Sequence, residues 1–266
     1  MSDRQVVYGL HAVHAALTRH PERVLQVRIA ERREDPRARA LEALARQQGR
    51  PVERTDAAHL REWVGEVAHQ GVVAEIVPLA PWSEDDLLGA LAQVTDPLLL
   101  ALDGVQDPHN LGACLRTADA CGALAVIAPR DRAARLTPAA RKVAAGAAES
   151  TPFVSCTNLG RTLDLLKRGG LWVFGAEAEA PEQAFDVDLT GGAVLVLGAE
   201  GGGLRQSTRQ RCDFTIRLPQ LGAVESLNVS VAAGMLLYEA VRQRAARKPA
   251  AGAARGPSTS RDPEAS

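Results

Sequence analysis

The sequence predicts an α/β protein made of a small N-terminal α/β unit and a larger layered α/β domain. From residue 96 onward, short apolar runs alternate with helical stretches, the order produced by parallel strands joined by helical crossovers. Apolar residues make up 46% of the chain and aromatics only 3%, so a sizeable core has to be built from Ala, Val and Leu. Three separated stretches, residues 103–112, 198–204 and 218–228, place glycine and small polar residues directly after an apolar run. In an open α/β sheet, ligands bind in loops beyond the carboxyl ends of the strands. Three such loops imply one composite site.

The N-terminal unit, expected over residues 1–78, opens with helical spacing at Leu10, Val13, Ala16 and Leu17. Residues 24–29 alternate as a half-buried strand does, and 37–48 return to a helical pattern ending at Gly49. A β-branched run at 71–77 reads as a strand. Pro78, Pro81, Trp82 and Ser83 then read as a connector leading to a short helix at about 84–93, within an expected linker over 79–96. The second domain, expected over 97–247, has apolar runs at 98–102, 123–128, 171–175, 193–197 and 214–218. Its last helix, 227–244, is apolar on nearly every side through Tyr238. Such a helix is buried in its domain or covered by another subunit. The tail, 248–266, is rich in Ala, Gly, Pro and Ser, a composition expected to be disordered.

Composition limits the class of function. The first residues lack the apolar run of a signal peptide. No stretch approaches the roughly 18 to 20 apolar residues that span a bilayer, so a soluble, cytoplasmic protein without membrane association is expected. Cys114, Cys121, Cys156 and Cys212 are scattered without a Cys-x-x-Cys pair. They read as small buried thiols rather than a zinc site or disulfide framework. His11 and His14 can share a helix face, but no third ligand lies nearby, and no metal site is expected.

The net charge of −1 argues against indiscriminate coating of nucleic acid. Two basic clusters stand out locally: Arg28, Arg32, Arg33, Arg37 and Arg39, then Arg130, Arg132, Arg135, Arg141 and Lys142. With Glu31, Glu34, Asp35 and Asp131 interleaved, composition leaves solvated faces and nucleic-acid contact both open.

The glycine loop at 198–203 is not Gly-x-Gly-x-x-Gly, and no Lys-Ser/Thr follows it. A standard dinucleotide or nucleoside-triphosphate site is therefore not expected, and a nicotinamide-dependent dehydrogenase is poorly supported. Glycines still let backbone amides approach a ligand closely, and Glu200 stands among them as either a ligand partner or a solvated turn residue. Asp107-Pro108 signals helix entry and puts Asn110 in the first turn, where capping is its alternative role. Arg116 is flanked by Leu115 and Ala118, which places the base of its side chain near the core; a plain surface arginine is the other reading. Ser226 is positioned to cap the final helix, with Asn228 in its first turn.

The combination of Asp-Pro-His-Asn-Leu-Gly-Ala, Gly-Ala-Glu-Gly-x-Gly and Ser-Leu-Asn-Val-Ser resembles the three motifs of the SpoU (TrmH-type) branch of the knotted SPOUT RNA methyltransferases. Tyr8-Gly-Leu-His-Ala-Val and His69-Gln-Gly-Val-Val-Ala resemble a ribosomal-protein-like, L30e-like RNA substrate-binding domain found in that branch. The resemblance spans about residues 4–246. It implies a trefoil knot and S-adenosylmethionine held by Gly198, Leu218 and Leu227, largely through backbone groups. It also implies a catalytic set of Asn110, Arg116, Glu200, Ser226 and Asn228, and a homodimer with the last helix near the interface. Gln220 departs from the pattern, standing where Met is more usual after the Leu-Pro pair.

The implied activity is methyl transfer to the ribose 2'-hydroxyl of a guanosine in 23S rRNA. A tRNA ribose methyltransferase and a non-catalytic RNA-binding ribosome-assembly factor are the alternatives. A guanidinium stays protonated, so Arg116 is expected to hold a phosphate and stabilise charge rather than act as a simple base. Asn110 and Glu200 would fix its position, with Ser226 and Asn228 ordering the substrate side. The substrate nucleotide is expected unpaired, in a loop or bulge, with the basic clusters on phosphates.

Overall fold

A computed structural model describes residues 4–65, 67, 69–78, 81–223 and 226–247. The expected disordered tail and residues 79–80 of the expected linker lie outside these.

The N-terminal part comprises β1 (Gln5–Tyr8), α1 (Leu10–Arg19), β2 (Val24–Ala30), α2 (Pro36–Gln47), β3 (Val52–Thr55), α3 (Ala57–Val64) and β4 (Val72–Ile76). Its sheet runs β1-β4-β2-β3, antiparallel except for the β2–β3 pair. Val13, Leu17, Val27, Ile29, Leu41 and Ala74 fill one core between this sheet and its helices. α2 starts one residue ahead of the predicted boundary because Pro36 takes the first helical position. Asp35 caps it, accepting from the backbone N–H groups of Arg37 and Ala38. β1, β3 and α3 are additions to the sequence reading.

α4 (Glu84–Leu91) opens on a reciprocal capping box between Ser83 and Asp86. The sheet that follows has seven strands, all parallel, in the order β7-β6-β5-β10-β8-β11-β9. Its elements are β5 (Leu98–Asp103), α5 (Pro108–Ala120), β6 (Ala125–Pro129), α6 (Pro138–Ala144), β7 (Phe153–Cys156), α7 (Leu159–Arg168), β8 (Trp172–Ala176), β9 (Glu182–Gln183), β10 (Ala193–Gly198), α8 (Gln206–Arg209), β11 (Phe214–Arg217) and α9 (Val229–Arg247). Each of the five predicted runs contains a strand of this sheet; β7 and the two-residue β9 were not foreseen. One face is covered by α5, α6 and α9 and the other by α4 and α7, giving two apolar cores.

β5 lies between β6 and β10, so the chain runs outward from β5 on one side and later returns to its other flank. This is a switch point of the kind that opens a ligand crevice at the strand ends. α9 is buried along one side and exposed along another. Val229, Ala233, Leu236, Leu237 and Ala240 are buried, while Val231, Met235 and Tyr238 are exposed.

The two sheets are tied by a buried carboxylate. Glu149 accepts hydrogen bonds from Arg23 at 3.0 Å, from the N-terminal part, and from Arg141 on α6 at 2.5 Å. Gly146 lies against α1 so closely that an added Cβ would sit 3.1 Å from Ala12 Cα.

Candidate active site

The two central strands end together: Gly198 of β10 pairs in register with Asp103 of β5. Asp103 is 1% exposed, and its Oδ2 accepts from the backbone N–H of Arg205 at 2.8 Å. Its Oδ1 lies 3.4 Å from Arg205 Nη1, an ion-pair distance without hydrogen-bond geometry. The carboxylate at the end of β5 therefore anchors the far end of the glycine loop.

That loop is a tight reversal. The Gly203 N–H donates to Ala199 O at 3.0 Å, and Gly201 and Gly203 have φ of 73° and 59°, a region costly for residues with a Cβ. At Gly198 an added Cβ would lie 2.0 Å from the Gly203 carbonyl carbon, so only hydrogen fits. The reversal places Glu200, which is exposed, at its tip.

Asn110 reaches the same place from α5. Asp107 caps that helix by accepting from His109 N at 2.9 Å, and Pro108 takes the first helical position. Asn110 is thus in the first turn with its side chain free of capping. Gly112 seats the helix: a Cβ there would sit 2.4 Å from Ala140 O of α6.

Asn228 arrives from α9 and corrects the expected capping. It is Asn228, not Ser226, that caps the helix: its Oδ1 accepts from Ser230 N at 2.9 Å and from Ser230 Oγ at 2.6 Å. Its Nδ2 donates to Asn110 Oδ1 at 3.0 Å and to Glu200 Oε1 at 2.6 Å, and Asn110 Nδ2 donates to the same Glu200 oxygen at 3.1 Å. One side chain from each loop thereby closes a triangle. Among the described residues, Glu200 Oε2 keeps no protein partner.

Beside the triangle lies a cleft of about 280 Å3. Gly198, Leu218 and Leu227 line it, as do Glu200 and Ser226. Ile216 and Val229 add apolar surface, and Glu177 and Gln220 add polar groups. Seven of the eight expected site residues thus belong to the triangle or the cleft wall.

Arg116 is the exception. It is exposed and makes no hydrogen bond or ion pair among the described residues, so neither the core-side base nor the anchoring by Asn110 and Glu200 is found. A residue six positions on from Asn110 lies about 120° round the helix, which separates their side chains. Sequence reasoning missed Asp103 and Glu177. Asp103 did carry a signal, as the one carboxylate closing an otherwise apolar strand that is buried along its length.

The cysteines are all free, and burial raises each thiol, Cys114 and Cys212 to about 12. No helix among the described residues is long and apolar enough to cross a membrane.

The chain has counterparts among known proteins. Residues 97–238 match the SpoU rRNA Methylase family, and residues 6–82 match the family described as RNA 2'-O ribose methyltransferase substrate binding. The chain belongs to the SpoU rRNA methylase family. It is 53% identical, over 93% of its length and 100% of the relative's, to the 23S rRNA (guanosine-2'-O-)-methyltransferase RlmB of Pseudomonas putida. It is 47% identical to the Escherichia coli protein of the same name, over 90% of this chain and 99% of that one. The crystal structure of the SpoU methyltransferase AviRb from Streptomyces viridochromogenes, in complex with the cofactor AdoMet, superimposes with a TM-score of 0.72. It is 26% identical and covers 91% of each chain.

Proposed function

We propose that this chain transfers the methyl group of S-adenosylmethionine to the ribose 2'-hydroxyl of a guanosine in 23S rRNA. The observation that carries the reading is the triangle of Asn110, Glu200 and Asn228, assembled from three distant segments at the edge of the cleft. The near full-length identity to proteins named for that reaction supports the substrate.

The cleft suits the methyl donor. Its volume is close to the roughly 300 Å3 lower end of small-molecule sites, and its apolar walls suit a nucleoside ring. Gly198, Leu218 and Leu227 would hold the donor, with backbone approach permitted at Gly198, where no side chain fits. Glu177 and Glu200 place carboxylates on the wall, which favours a positively charged sulfur. When bound, S-adenosylmethionine supplies a methyl carbon made electrophilic by its sulfonium leaving group.

The chain's own contribution is alignment. Holding the ribose oxygen in a near-attack position can lower such a barrier by roughly 7 to 11 kcal/mol. Asn110, Glu200 and Asn228 fix one another and present polar groups to the ribose, with Ser226 beside them. Arg116, exposed and unpartnered on α5, takes the adjoining RNA phosphate and stabilises charge on the ribose oxygen.

The two basic clusters divide. In the first, Arg28, Arg33 and Arg39 are paired with Glu53, Asp35 and Glu34 at 2.7, 2.7 and 3.6 Å, while Arg32 and Arg37 are exposed and form no ion pair among the described residues. Arg130, Arg132, Arg135 and Lys142 are exposed and form no ion pair among the described residues. The phosphate contacts therefore belong mainly to residues 130–142, and they make RNA binding salt-dependent.

The same reading assigns residues 1–78 to an L30e-like substrate-binding domain, 79–96 to a linker and 97–247 to a knotted methyltransferase domain. The return of α9 onto α5, after β11 has paired beyond β8, supports the knot. A homodimer would cover Val231, Met235 and Tyr238, an apolar stripe at helical spacing on α9. The protein would work in the cytoplasm, where its substrate is made.

The test offers labelled methyl donor together with unmodified 23S rRNA, 16S rRNA or tRNA, followed by nuclease mapping of the alkali-resistant ribose. Label at one guanosine of 23S rRNA is expected. Transfer confined to tRNA would overturn the substrate, and no transfer to any RNA, with no donor binding by calorimetry, would leave a non-catalytic RNA-binding factor.

A further inference from the structure

The cleft wall holds one side chain that neither the triangle nor the glycine cradle explains. Gln220 follows β11 and lines the cleft together with Ile216, Leu218, Leu227 and Val229. Its side-chain oxygen is buried and has no hydrogen-bond partner among the described residues. A buried carbonyl oxygen without a partner loses its water and gains nothing in return, and such an atom in a native protein needs an explanation. Among these aliphatic neighbours an apolar side chain of similar length would pack without that penalty.

We propose that Gln220 recognises the adenine ring of the methyl donor by hydrogen bonding to its polar edge. The inference rests on the cleft being the donor site, as proposed above, and extends it to a specificity-determining residue of this chain. A carboxamide offers an acceptor and a donor side by side, and adenine presents its N6 amine beside a ring nitrogen acceptor. That pairing makes Asn and Gln the usual partners of adenine elsewhere. The other polar side chains on the wall do not fit as well: Ser226 has only a single hydroxyl to offer. Glu177 and Glu200 only accept when ionised, and each is already engaged, by Arg209 at 3.0 Å and by the two asparagines. A bound adenine would satisfy the orphaned oxygen through its N6 amine while its faces rest on the apolar wall.

The experiment is calorimetric and needs no RNA. Wild-type protein, Q220M and Q220L are titrated with S-adenosylhomocysteine and with the analogue in which hydrogen replaces the N6 amine. Wild type is expected to prefer S-adenosylhomocysteine by roughly ten- to a hundredfold, the worth of one good base-edge pairing. Both variants are expected to bind S-adenosylhomocysteine correspondingly more weakly and to lose most of the preference. Melting temperatures at or above that of wild type are expected, because each variant removes a buried unpaired oxygen. The proposal is overturned if either folded variant binds S-adenosylhomocysteine as tightly as wild type. It is equally overturned if the preference between the two compounds is unchanged. Failure of the underlying reading looks different: wild type would then bind neither compound.

Discussion

Asn228 uses the two ends of one carboxamide for two separate tasks. Its oxygen caps α9 through Ser230, and its nitrogen closes the triangle to Asn110 and Glu200. The two tasks separate by substitution. N228D keeps an excellent cap but loses the donor and sets a second carboxylate against Glu200. Its melting temperature is expected to stay within a few degrees of wild type while methyl transfer falls by roughly 10²-fold, the scale of a small misplacement at a reacting centre. An active N228D would remove the triangle from the mechanism. Arg116→Lys keeps the charge and loses the planar fork. Single-turnover transfer is expected to drop with donor affinity unchanged, and near-wild-type turnover would defeat the idea that bidentate geometry matters. These residues were legible only in part. The triangle joins positions 90, 118 and 28 apart, so no local spacing could reveal the contacts, although each loop was marked by its own small residues. Leu115 and Ala118, one behind and two ahead, do not share the helix face of Arg116, so their apolarity says nothing of its exposure.

At the level of elements, the central strands could be read because parallel strands buried on both faces become continuous apolar runs. β5 is buried at every position and β10 at all but Gly198. The elements that escaped lack that signal. β1, β3 and β7 are four residues each, at sheet edges, and α3 buries only Leu60, too little to set a period. The glycine loop was visible as glycine, but its geometry was not. Gly198→Ala would drive a methyl group into Gly203, so a loss of several kcal/mol is expected from overpacking against backbone. Donor binding is expected to disappear with it. Gly201→Ala, with open space around its Cβ position, should cost only about 1 to 2 kcal/mol of left-handed strain. Chemical denaturation and calorimetry on the two variants check this ordering; equal effects would mean that the close approach at Gly198 is unimportant. The buried thiols also have an expected pH signature. Cys114 of α5 and Cys212 before β11 are raised from 9.0 to about 12, chiefly by burial. A raised folded value means that stability is fully present below pH 9 and is lost as pH climbs from 9 toward 12. The slope is about 1.4 kcal/mol per pH unit for each thiol. C114A and C212A should each flatten unfolding free energy against pH in that window alone.

On the scale of the whole molecule, nothing in the sequence points to what ties the two sheets together. The tie is Glu149, with a side chain only 3% exposed, lying between Arg23 of the N-terminal part and Arg141 of α6. Arg141 had been grouped with the basic residues available to RNA; its partner instead lies 8 residues on, in a short turn. An arrangement with one carboxylate and two guanidiniums is asymmetric in its response to substitution. Removing one partner of a buried pair leaves an uncompensated charge, at a cost of about 3 to 5 kcal/mol. Glu149→Gln strands both arginines at once, and they are 13% and 18% exposed, so solvent relieves only part of that cost. Because the pair spans two sheets with separate apolar cores, the loss should fall on the coupling between them. The expected result is that a single calorimetric transition of the wild type separates into two in Glu149→Gln. Donor binding should persist, since the cleft lies wholly among residues 176–232. Transfer to RNA should fall more than donor affinity, because a substrate spanning both parts needs them in register. A Glu149→Gln protein that melts in one transition at the wild-type temperature would show that the two parts are held by the Gly146–α1 contact instead, and that this ion pair contributes nothing to positioning the RNA.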